Sequence, residues 1–259
     1  MARLDGKAAF ITGGESGIGL ACARLFVAEG ARVHLAGLVK DQLEAAAAEL
    51  GPAAAELGPG AAGWSVTDVT EEDQVAAALR QAVDRFGRLD VLVSNAGIAG
   101  DQELITDYPT DVFRRVLDVH VLGAFLVLKH GLPHLAEDGS VIITSSVVGL
   151  TSAPGICAYA TAKHAQVGLM RTAAKEMAAR GIRVNTLHPG PTDTAFQRAI
   201  EVAATGAPAD EAARAFDAMI PLGRHASPEE IARSMLYLAS SDSSFVTGST
   251  MAVDGGMHA

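Results

Sequence analysis

The chain has 259 residues and a formal net charge of -10, and hydrophobic residues make up 49% of it. This composition argues against disorder, and the negative charge argues against nucleic acid and anionic membrane surfaces as partners. Only two cysteines occur, Cys22 and Cys157, and neither belongs to a Cys-x-x-Cys pair, so we expect no metal site.

Short β-rich runs alternate with longer helical patterns. The predicted strands are KAAFIT, ARVHLAG, AAGWSV, LDVLVSN, SVIITSS, IRVNTLHPG and STMAVDGG. Two predicted helices end at Glu29 and at Leu50, and four more cover about 71–86, 110–135, 157–179 and 228–240. This alternation predicts an α/β fold of Rossmann type, a doubly wound three-layer α/β/α arrangement with a seven-stranded parallel sheet, in one domain spanning 1–259.

Two segments do not fit the alternation. The sequence AAAELGP occurs at 46–52 and again at 53–59, between the second helix and the third strand, which predicts a surface insertion in that connection. Residues 192–222 are too many for a simple connection and are helical in pattern, with a break at Gly206 and Pro208. Long connections in compact domains are often lids or binding loops, so this segment is the predicted substrate lid.

No segment has the sequence pattern of a membrane span or a signal peptide. The longest apolar runs, such as 121–128, are well short of the roughly 20 residues that a membrane helix needs. The amino terminus leads directly from a short apolar run into a glycine loop, without a cleavage site. We therefore expect a cytoplasmic protein.

The stretch FITGGESGIG places Gly13, Gly17 and Gly19 between the first strand and the helix that follows. Backbone amides and the helix dipole at such a turn can bind a pyrophosphate. Glycines in tight turns are common, so the loop by itself is compatible with a structural turn or a nucleotide site. Its position directly after the first strand favours the nucleotide site.

The end of the second strand bears on the choice between NAD and NADP. An acidic residue there would bind the adenosine ribose of NAD, and an arginine would pair with the 2′-phosphate of NADP. The sequence at this point is Gly37, Leu38, Val39 and Lys40, which has neither signature, and Lys40 is either a phosphate ligand or a solvated lysine. Glu15 in the glycine loop would repel a 2′-phosphate, which favours NAD.

A serine, a tyrosine and a lysine have a spacing that suits acid-base chemistry. Tyr159 and Lys163 are four residues apart and so share one helix face, and Ser146 lies thirteen residues before the tyrosine. An adjacent ammonium favours the ionised form of a phenol, whose ordinary pKa near 10 makes it a poor catalyst at neutral pH. Taken singly, these residues are also compatible with a helix-surface pair and a turn hydroxyl.

In combination, these features resemble the short-chain dehydrogenase/reductase family over nearly the whole chain. The matching motifs are TGGESGIG (12–19), DVT (68–70), SNAG (94–97), the serine, tyrosine and lysine set, and PGPTDT (189–194). The resemblance implies an NAD(P)(H) site in which Asp68 and Val69 meet the adenine and Thr192 and Thr194 lie near the nicotinamide. The full predicted cofactor set is Gly13, Glu15, Ser16, Gly17, Ile18, Gly19, Gly37, Leu38, Asp68, Val69, Asn95, Ala96, Gly97, Tyr159, Lys163, Pro189, Gly190, Thr192 and Thr194.

The resemblance also implies a reaction, the interconversion of a secondary alcohol and a ketone by hydride transfer. It makes Tyr159 the general acid/base, Ser146 the residue that orients the substrate oxygen, and Lys163 both the ligand of the nicotinamide ribose and the group that lowers the pKa of Tyr159. The family's epimerases carry a longer substrate domain and its enoyl reductases space tyrosine and lysine farther apart, and neither pattern matches this chain.

His120 departs from the family pattern. The family has a catalytic asparagine in N-x-x-G, which helps to hold a water in a proton relay behind the lysine, and alignment on Gly123 puts His120 at that position. An imidazole can donate and accept hydrogen bonds, so His120 either replaces the asparagine or leaves the relay to backbone and water. Without the resemblance, a lone histidine between valines would be interpreted as a core residue.

Two other functions share these motifs. A 3-oxoacyl-thioester reductase would need a basic patch for its acyl carrier, and the predicted lid region offers only Arg198, Arg214 and Arg224. A dinucleotide-binding sensor without catalysis is disfavoured by the intact catalytic set. By resemblance we expect a homotetramer, with the helices around 110–135 and 157–179 at one interface and a small-molecule alcohol or ketone as substrate.

Overall fold

Seven parallel strands form one sheet at the centre of the fold. A computed structural model describes residues 2–55, 57–58 and 60–259. The strands are β1 (Ala8–Thr12), β2 (Arg32–Gly37), β3 (Ala62–Val66), β4 (Leu89–Ser94), β5 (Leu135–Thr144), β6 (Arg183–Pro189) and β7 (Thr250–Val253). Their order is β3-β2-β1-β4-β5-β6-β7, and every neighbouring pair is parallel. The predicted Rossmann-type fold is confirmed.

Helices cover both faces of the sheet, each over its own apolar core. They are α1 (Gly17–Ala28), α2 (Lys40–Ala55), α3 (Glu72–Phe86), α4 (Thr110–Leu117), α5 (Gly123–Gly131), α6 (Cys157–Met177), α7 (Ala195–Thr205), α8 (Ala209–Asp217) and α9 (Pro228–Ala239). Helices α1, α2 and α9 pack on one face, and α3, α5 and α6 on the other. Side chains of β1 alternate between the two cores, so the strand is buried throughout, as expected of a parallel sheet covered on both faces.

The strand order reverses beside β1. The chain proceeds outward from β1 to β3, returns to β4 on the other side of β1, and then proceeds outward to β7. The loops that follow β1 and β4 therefore leave in opposite directions. Such a point leaves a crevice at the carboxyl ends of the strands, where open α/β sheets bind ligands.

The middle helix differs from the continuous helix predicted over about 110–135. Helices α4 and α5 are joined by a π-helical turn at Asp118–Leu122, and a 3₁₀ turn at Leu132–His134 precedes β5. Strand β5 begins at Leu135, five residues before the predicted Ser140, because Leu135 also pairs with Leu89 across a register shift. Single π turns are rare and occur often at functional sites, and this one contains His120.

The helical stretch Thr110–His134 is long and apolar enough, by length and composition alone, to cross a membrane. Of its most apolar window, 44% is buried inside the fold. Leu126 and Val127 of this stretch belong to the core beneath α3 and α6. A core helix has the same composition as a membrane span, so this feature is weak support for a membrane segment.

The tandem duplication lies mostly inside a helix, so its prediction as a loop insertion is wrong. Helix α2 continues to Ala55, which takes in the whole first copy and the start of the second. Ala46 and Leu50 of the first copy are buried in the core, and alanine is the strongest helix former, so the repeat extends the helix. Glu56 and Pro59 of the second copy lie outside the described residues.

The helical pattern predicted within 192–222 is present as α7 and α8. Helix α7 is preceded by Thr194, whose hydroxyl caps the helix by accepting a hydrogen bond from the Gln197 amide at 3.1 Å. The helix is followed by Gly206, which has a φ of 65°, a left-handed conformation that favours glycine. The two helices follow β6 and so lie at the carboxyl edge of the sheet.

Candidate active site

A cavity of about 410 Å³ opens at the carboxyl ends of the strands, where the strand order reverses. Every residue of the predicted cofactor set and catalytic set lines this cavity except Gly19. Further lining residues outside the predicted cofactor and catalytic sets are Thr67, Thr70, Ile98, Arg115, Asp118, Val119, Thr144 and Ser145, together with Phe196 and Gln197 of the predicted lid. Several of these are sequence neighbours of Ser146 or His120, so proximity along the chain could have identified them.

The glycine loop is shaped by close backbone contacts. Gly13 and Gly17 have φ values of 63° and 50°, which glycine adopts without strain. Gly19 is buried in α1, and a Cβ there would overlap the Gly13 carbonyl oxygen. Gly19 therefore allows the helix to approach the loop closely, which explains why it does not line the cavity.

The segment that follows β4 supports the loop. The Asn95 side chain donates to the carbonyl oxygens of Thr12 and Gly13, at 3.2 and 3.3 Å. The loop directs its open side and the amino terminus of α1 into the cavity. A cradle without side chains at a helix amino terminus fits a dinucleotide pyrophosphate. The residues present therefore fit the cofactor that the sequence predicts.

The edge of the cavity near β2 and β3 fits an adenosine. Asp68 accepts hydrogen bonds from the Thr70 amide and hydroxyl, at 2.9 and 2.8 Å, which fixes the loop after β3. Leu38 lines the cavity and is 62% exposed. Lys40 instead forms an i,i+4 ion pair with Glu44 at 3.6 Å and does not line the cavity, which favours the solvated interpretation of this lysine.

Ser146, Tyr159 and Lys163 meet at the other end of the cavity. Ser146 follows β5, and Tyr159 and Lys163 lie one turn apart near the start of α6. The Ser145 hydroxyl donates to the Lys163 carbonyl at 3.0 Å, which ties α6 to the end of β5. The Lys163 ammonium donates to the Thr144 carbonyl at 2.8 Å and lies 5.3 Å from the centre of the Tyr159 ring.

Burial dominates the protonation of this pair. It raises the pKa of Tyr159 to about 12, against a hydrogen bond with Ser146 that lowers it. Burial also lowers the pKa of Lys163 to about 7. The structure thus differs from the expectation that Lys163 lowers the pKa of Tyr159, because desolvation of the phenol is the largest cause of the shift and only Ser146 acts to lower it.

The depressed pKa of Lys163 predicts a pH-dependent stability. The folded protein releases this proton near pH 7 and the unfolded chain holds it to about 10.5, so the unfolded state binds more protons between these values and stability rises with pH. Relative to Lys163→Met, the free energy of unfolding of the wild type should gain on the order of 3 kcal/mol between about pH 7 and 9.5. Urea titrations of both proteins at each pH measure this difference, and parallel pH curves would contradict the assignment.

His120 is both a core residue and a cavity residue. It is 1% exposed, and its Nε2 lies 2.7 Å from the Ile98 carbonyl oxygen and 3.1 Å from the Ile98 amide nitrogen. Its ring meets the Tyr159 ring edge to face, with centres 5.3 Å apart. Burial, with the charge of Lys163, holds the pKa of His120 well below 6.5, so the imidazole is neutral at pH 7.

Two further buried side chains support the site without lining the cavity. Gln166 donates from Nε2 to the His120 carbonyl oxygen at 2.9 Å, which stabilises the π turn. His188 contacts the Ser146 carbonyl oxygen through Nδ1 at 2.7 Å and the Thr186 hydroxyl through Nε2 at 2.8 Å. Gln166 thus links α6 to the π turn that contains His120, and His188 links β6 to Ser146. Sequence spacing alone does not reveal these contacts.

Comparison with known proteins agrees with this geometry. A family model described as enoyl-(acyl carrier protein) reductase matches residues 13–258. The chain belongs to the short-chain dehydrogenase/reductase family. Among solved structures of the family, that of levodione reductase superposes with a TM-score of 0.93 at 33% identity, covering 99% of both chains.

Named relatives in the family have different substrates. The chain is 39% identical to the 3-oxoacyl-(acyl-carrier-protein) reductase FabG of Thermotoga maritima, over 98% of this chain and 99% of that protein. It is also 39% identical to cis-4-hydroxycyclohexanecarboxylate dehydrogenase of Sinomonas cyclohexanicum, over 98% of this chain and 97% of that protein. The chain is therefore an oxidoreductase of a family that uses a nicotinamide dinucleotide.

Proposed function

We propose that the protein is an NAD(P)-dependent oxidoreductase that interconverts a secondary alcohol and a ketone. The observation that carries this proposal is the meeting of Ser146, Tyr159 and Lys163 in one cavity with the glycine loop. The family model's description names an enoyl reductase, but the spacing of four between Tyr159 and Lys163 is that of the family's alcohol and ketone enzymes.

Each catalytic candidate has a distinct task in ketone reduction. When bound, the reduced nicotinamide supplies the hydride that the carbonyl carbon accepts. Tyr159 donates its proton to the carbonyl oxygen as negative charge develops there, and Ser146 stabilises the same oxygen by a hydrogen bond. A phenol with a pKa of about 12 remains protonated throughout the neutral range, so the resting site is ready to act as an acid. Lys163 holds the nicotinamide ribose.

The proposed cofactor is NAD in preference to NADP. Strand β2 ends at Gly37 and is followed by Leu38, so neither position provides an arginine that could pair with a 2′-phosphate. Glu15 lines the same edge of the cavity and would repel that phosphate. Arg115 is a cation of the cavity lining, so direct titration with both cofactors is the decisive measurement.

The proposed substrate is a cyclic secondary alcohol or its ketone. Phe196 of α7 lines the cavity beside Tyr159, with ring centres 6.5 Å apart, and offers an apolar surface to a ring. The Sinomonas relative is named for a hydroxylated cyclohexane. By contrast, Arg198 and Arg224 are engaged in ion pairs with Asp193 and Glu230, at 2.6 and 2.7 Å, which leaves a weak basic patch for an acyl carrier.

A substrate panel tests this function. Cyclic and open-chain alcohols and ketones, together with a 3-oxoacyl thioester, would be assayed with both cofactors in each direction. Turnover of cyclic substrates above the thioester is the expected result. Preferential turnover of the thioester would assign the protein to the acyl-carrier reductases, and cofactor binding without any turnover would favour the sensor alternative.

We propose further that residues 192–222 form a lid held by one histidine. His225 contacts Asp217 at 2.7 Å through Nδ1 and the buried Glu201 through Nε2, so it links α8 to α7. Burial acts to lower the pKa of His225, but the two carboxylates raise it above 6.5. This stabilisation is present below pH 6.5 and is lost as the pH rises through the raised pKa.

Removal of this histidine should loosen the lid. Below pH 6.5, His225→Ala leaves Glu201 buried without its cationic partner, so we expect amide exchange in α7 and α8 at that pH to accelerate roughly tenfold or more, after correction for intrinsic rates. Amides of α3 serve as the internal control. The double variant His225→Ala, Glu201→Gln removes the buried charge and should recover part of the protection. Unchanged exchange in α7 and α8 would contradict the role of His225.

The remaining proposals concern the protein as a whole. We propose a single domain over 1–259 and a homotetramer whose interface includes the helical surfaces of α4, α5 and α6. The exposure of Leu122 and Phe125, at 38% and 44%, supports this interface. Light scattering of the purified protein measures the oligomeric state.

A cytoplasmic location is supported by Cys22 and Cys157, which are both free.

A further inference from the structure

Glu15 occupies an unusual position at the adenosine end of the cavity. Its carboxylate lies directly over Gly37, so that a Cβ at Gly37 would overlap both carboxylate oxygens. This is the place where the side chain of the last residue of β2 would otherwise begin. Strand ends of this kind supply the acidic residue that binds the adenosine ribose of NAD, and here the strand has a glycine instead.

The glycine loop is fixed on β2, which holds Glu15 in this position. The Gly13 amide donates to the Ala36 carbonyl at 2.7 Å. A Cβ at Gly14 would lie 2.8 Å from a methyl carbon of Leu35, so the loop and strand pack with no space for a side chain between them. The carbonyl of Gly37 accepts from the Thr67 amide at 2.7 Å, which fixes the strand end from the other side.

One carboxylate oxygen of Glu15 is also unsatisfied within the part of the chain that the structure describes. Its Oε2 is buried and has no hydrogen-bond partner among the described residues, although the residue lines the cavity. The neighbouring Asp68 uses one carboxylate oxygen for the Thr70 amide and hydroxyl. A buried carboxylate oxygen without a donor is unfavourable, and ligand hydroxyl groups would satisfy it.

We propose that Glu15 is the ribose-binding carboxylate of this enzyme, transferred from the end of β2 to the glycine loop, and that Gly37 is the space it needs. The inference rests on the proposed nicotinamide dinucleotide site and names the residue that decides whether this site takes NAD or NADP. Glu15 accepts hydrogen bonds from the 2′- and 3′-hydroxyl groups of the adenosine ribose. The same charge repels a 2′-phosphate.

Calorimetric titration with ADP-ribose and 2′-phospho-ADP-ribose tests this role without turnover, because neither compound carries a nicotinamide. The wild type should bind ADP-ribose more tightly than 2′-phospho-ADP-ribose, by roughly tenfold or more. Glu15→Gln should weaken ADP-ribose binding by roughly tenfold and bring the two affinities close together, because hydrogen bonds to a charged acceptor are about twice as strong as neutral ones. Asp41→Asn, an exposed position in the first turn of α2 that does not line the cavity, removes the same charge and should leave both affinities within about twofold of the wild type.

A second pair of variants tests the exchange of positions. Gly37→Asp alone places two carboxylates in one volume and should weaken the binding of both compounds. Glu15→Ser combined with Gly37→Asp returns the carboxylate to the strand end and should restore the preference for ADP-ribose. A wild-type preference for the 2′-phosphate, an unchanged affinity ratio in Glu15→Gln, or no recovery in the double variant would each overturn the proposal. Absence of ketone turnover with these affinities intact would overturn the proposed reaction alone.

Discussion

Tyr159→Phe should lower kcat for ketone reduction by on the order of 10³-fold, because it removes the only proton that the phenol offers to the substrate oxygen. The ring itself remains, so its packing against the rings of His120 and Phe196, whose centres lie 5.3 and 6.5 Å away, is retained. The change therefore isolates the hydroxyl from the packing. Steady-state assays with a ketone from the panel would measure the loss.

Cofactor affinity provides the control for this variant. Tyr159 lies at the catalytic end of the cavity, whereas the glycine loop and Asp68 line the rest of it. Tyr159 is one member of the predicted cofactor set, so the dissociation constant of NADH should change far less than kcat in Tyr159→Phe. A variant that keeps more than about a tenth of wild-type kcat would show that another group supplies the proton, since general acid catalysis is worth at least roughly 10²-fold.

The fold was predictable because its signals are local. Apolar runs of strand length, separated by helical patterns, determine a parallel sheet covered on both faces, and the structure has that sheet. The glycine loop was predictable for the same reason, since its turn directly follows β1. Chain position alone also placed Tyr159 and Lys163 together, because residues four apart on a helix are neighbours.

The protonation of the site was not predictable from spacing. A spacing of four indicates that an ammonium lies near a phenol, and it suggests a lowered phenol pKa. The pKa values of Tyr159 and Lys163 depend instead on how completely β5, α6 and the π turn exclude water, and burial moves the two values to about 12 and about 7. Burial depends on the whole tertiary structure.

Long-range contacts also explain the other differences. The π turn at Asp118–Leu122 is held by Gln166 and by the contact of His120 with Ile98, which are 46 and 22 residues away from His120 in the chain. The placement of Glu15 over Gly37 joins the glycine loop to β2 and depends on how the loop packs there. The repeat at 46–52 is the opposite case, because its local signal was sufficient. Its alanine-rich sequence favours the helix that the structure has, whereas its place between the second helix and the third strand suggested a surface insertion.

His120 is the residue for which sequence and structure pose the sharpest test. If it takes the part of the family's asparagine, His120→Asn should keep kcat within about fivefold of the wild type, because an amide also donates and accepts hydrogen bonds. His120→Ala should lower kcat by on the order of 100-fold, because small displacements of a catalytic group have effects of that size. Steady-state kinetics of the three proteins, with far-UV circular dichroism as a check on folding, would measure these changes.

The contacts of His120 separate a role in the reaction from a role in packing. Its ring fills the space over Gly97 and supports Tyr159 from the side, so alanine would remove support for Tyr159 as well as a hydrogen-bonding group. His120→Leu restores most of the lost volume without a polar atom. Low kcat in both alanine and leucine variants, with recovery in asparagine, would assign His120 to proton supply, whereas recovery in leucine would assign it to the core. The neutral state of the imidazole is compatible with a relay, because a neutral ring has one donor and one acceptor nitrogen, and Nδ1 has no partner among the described residues.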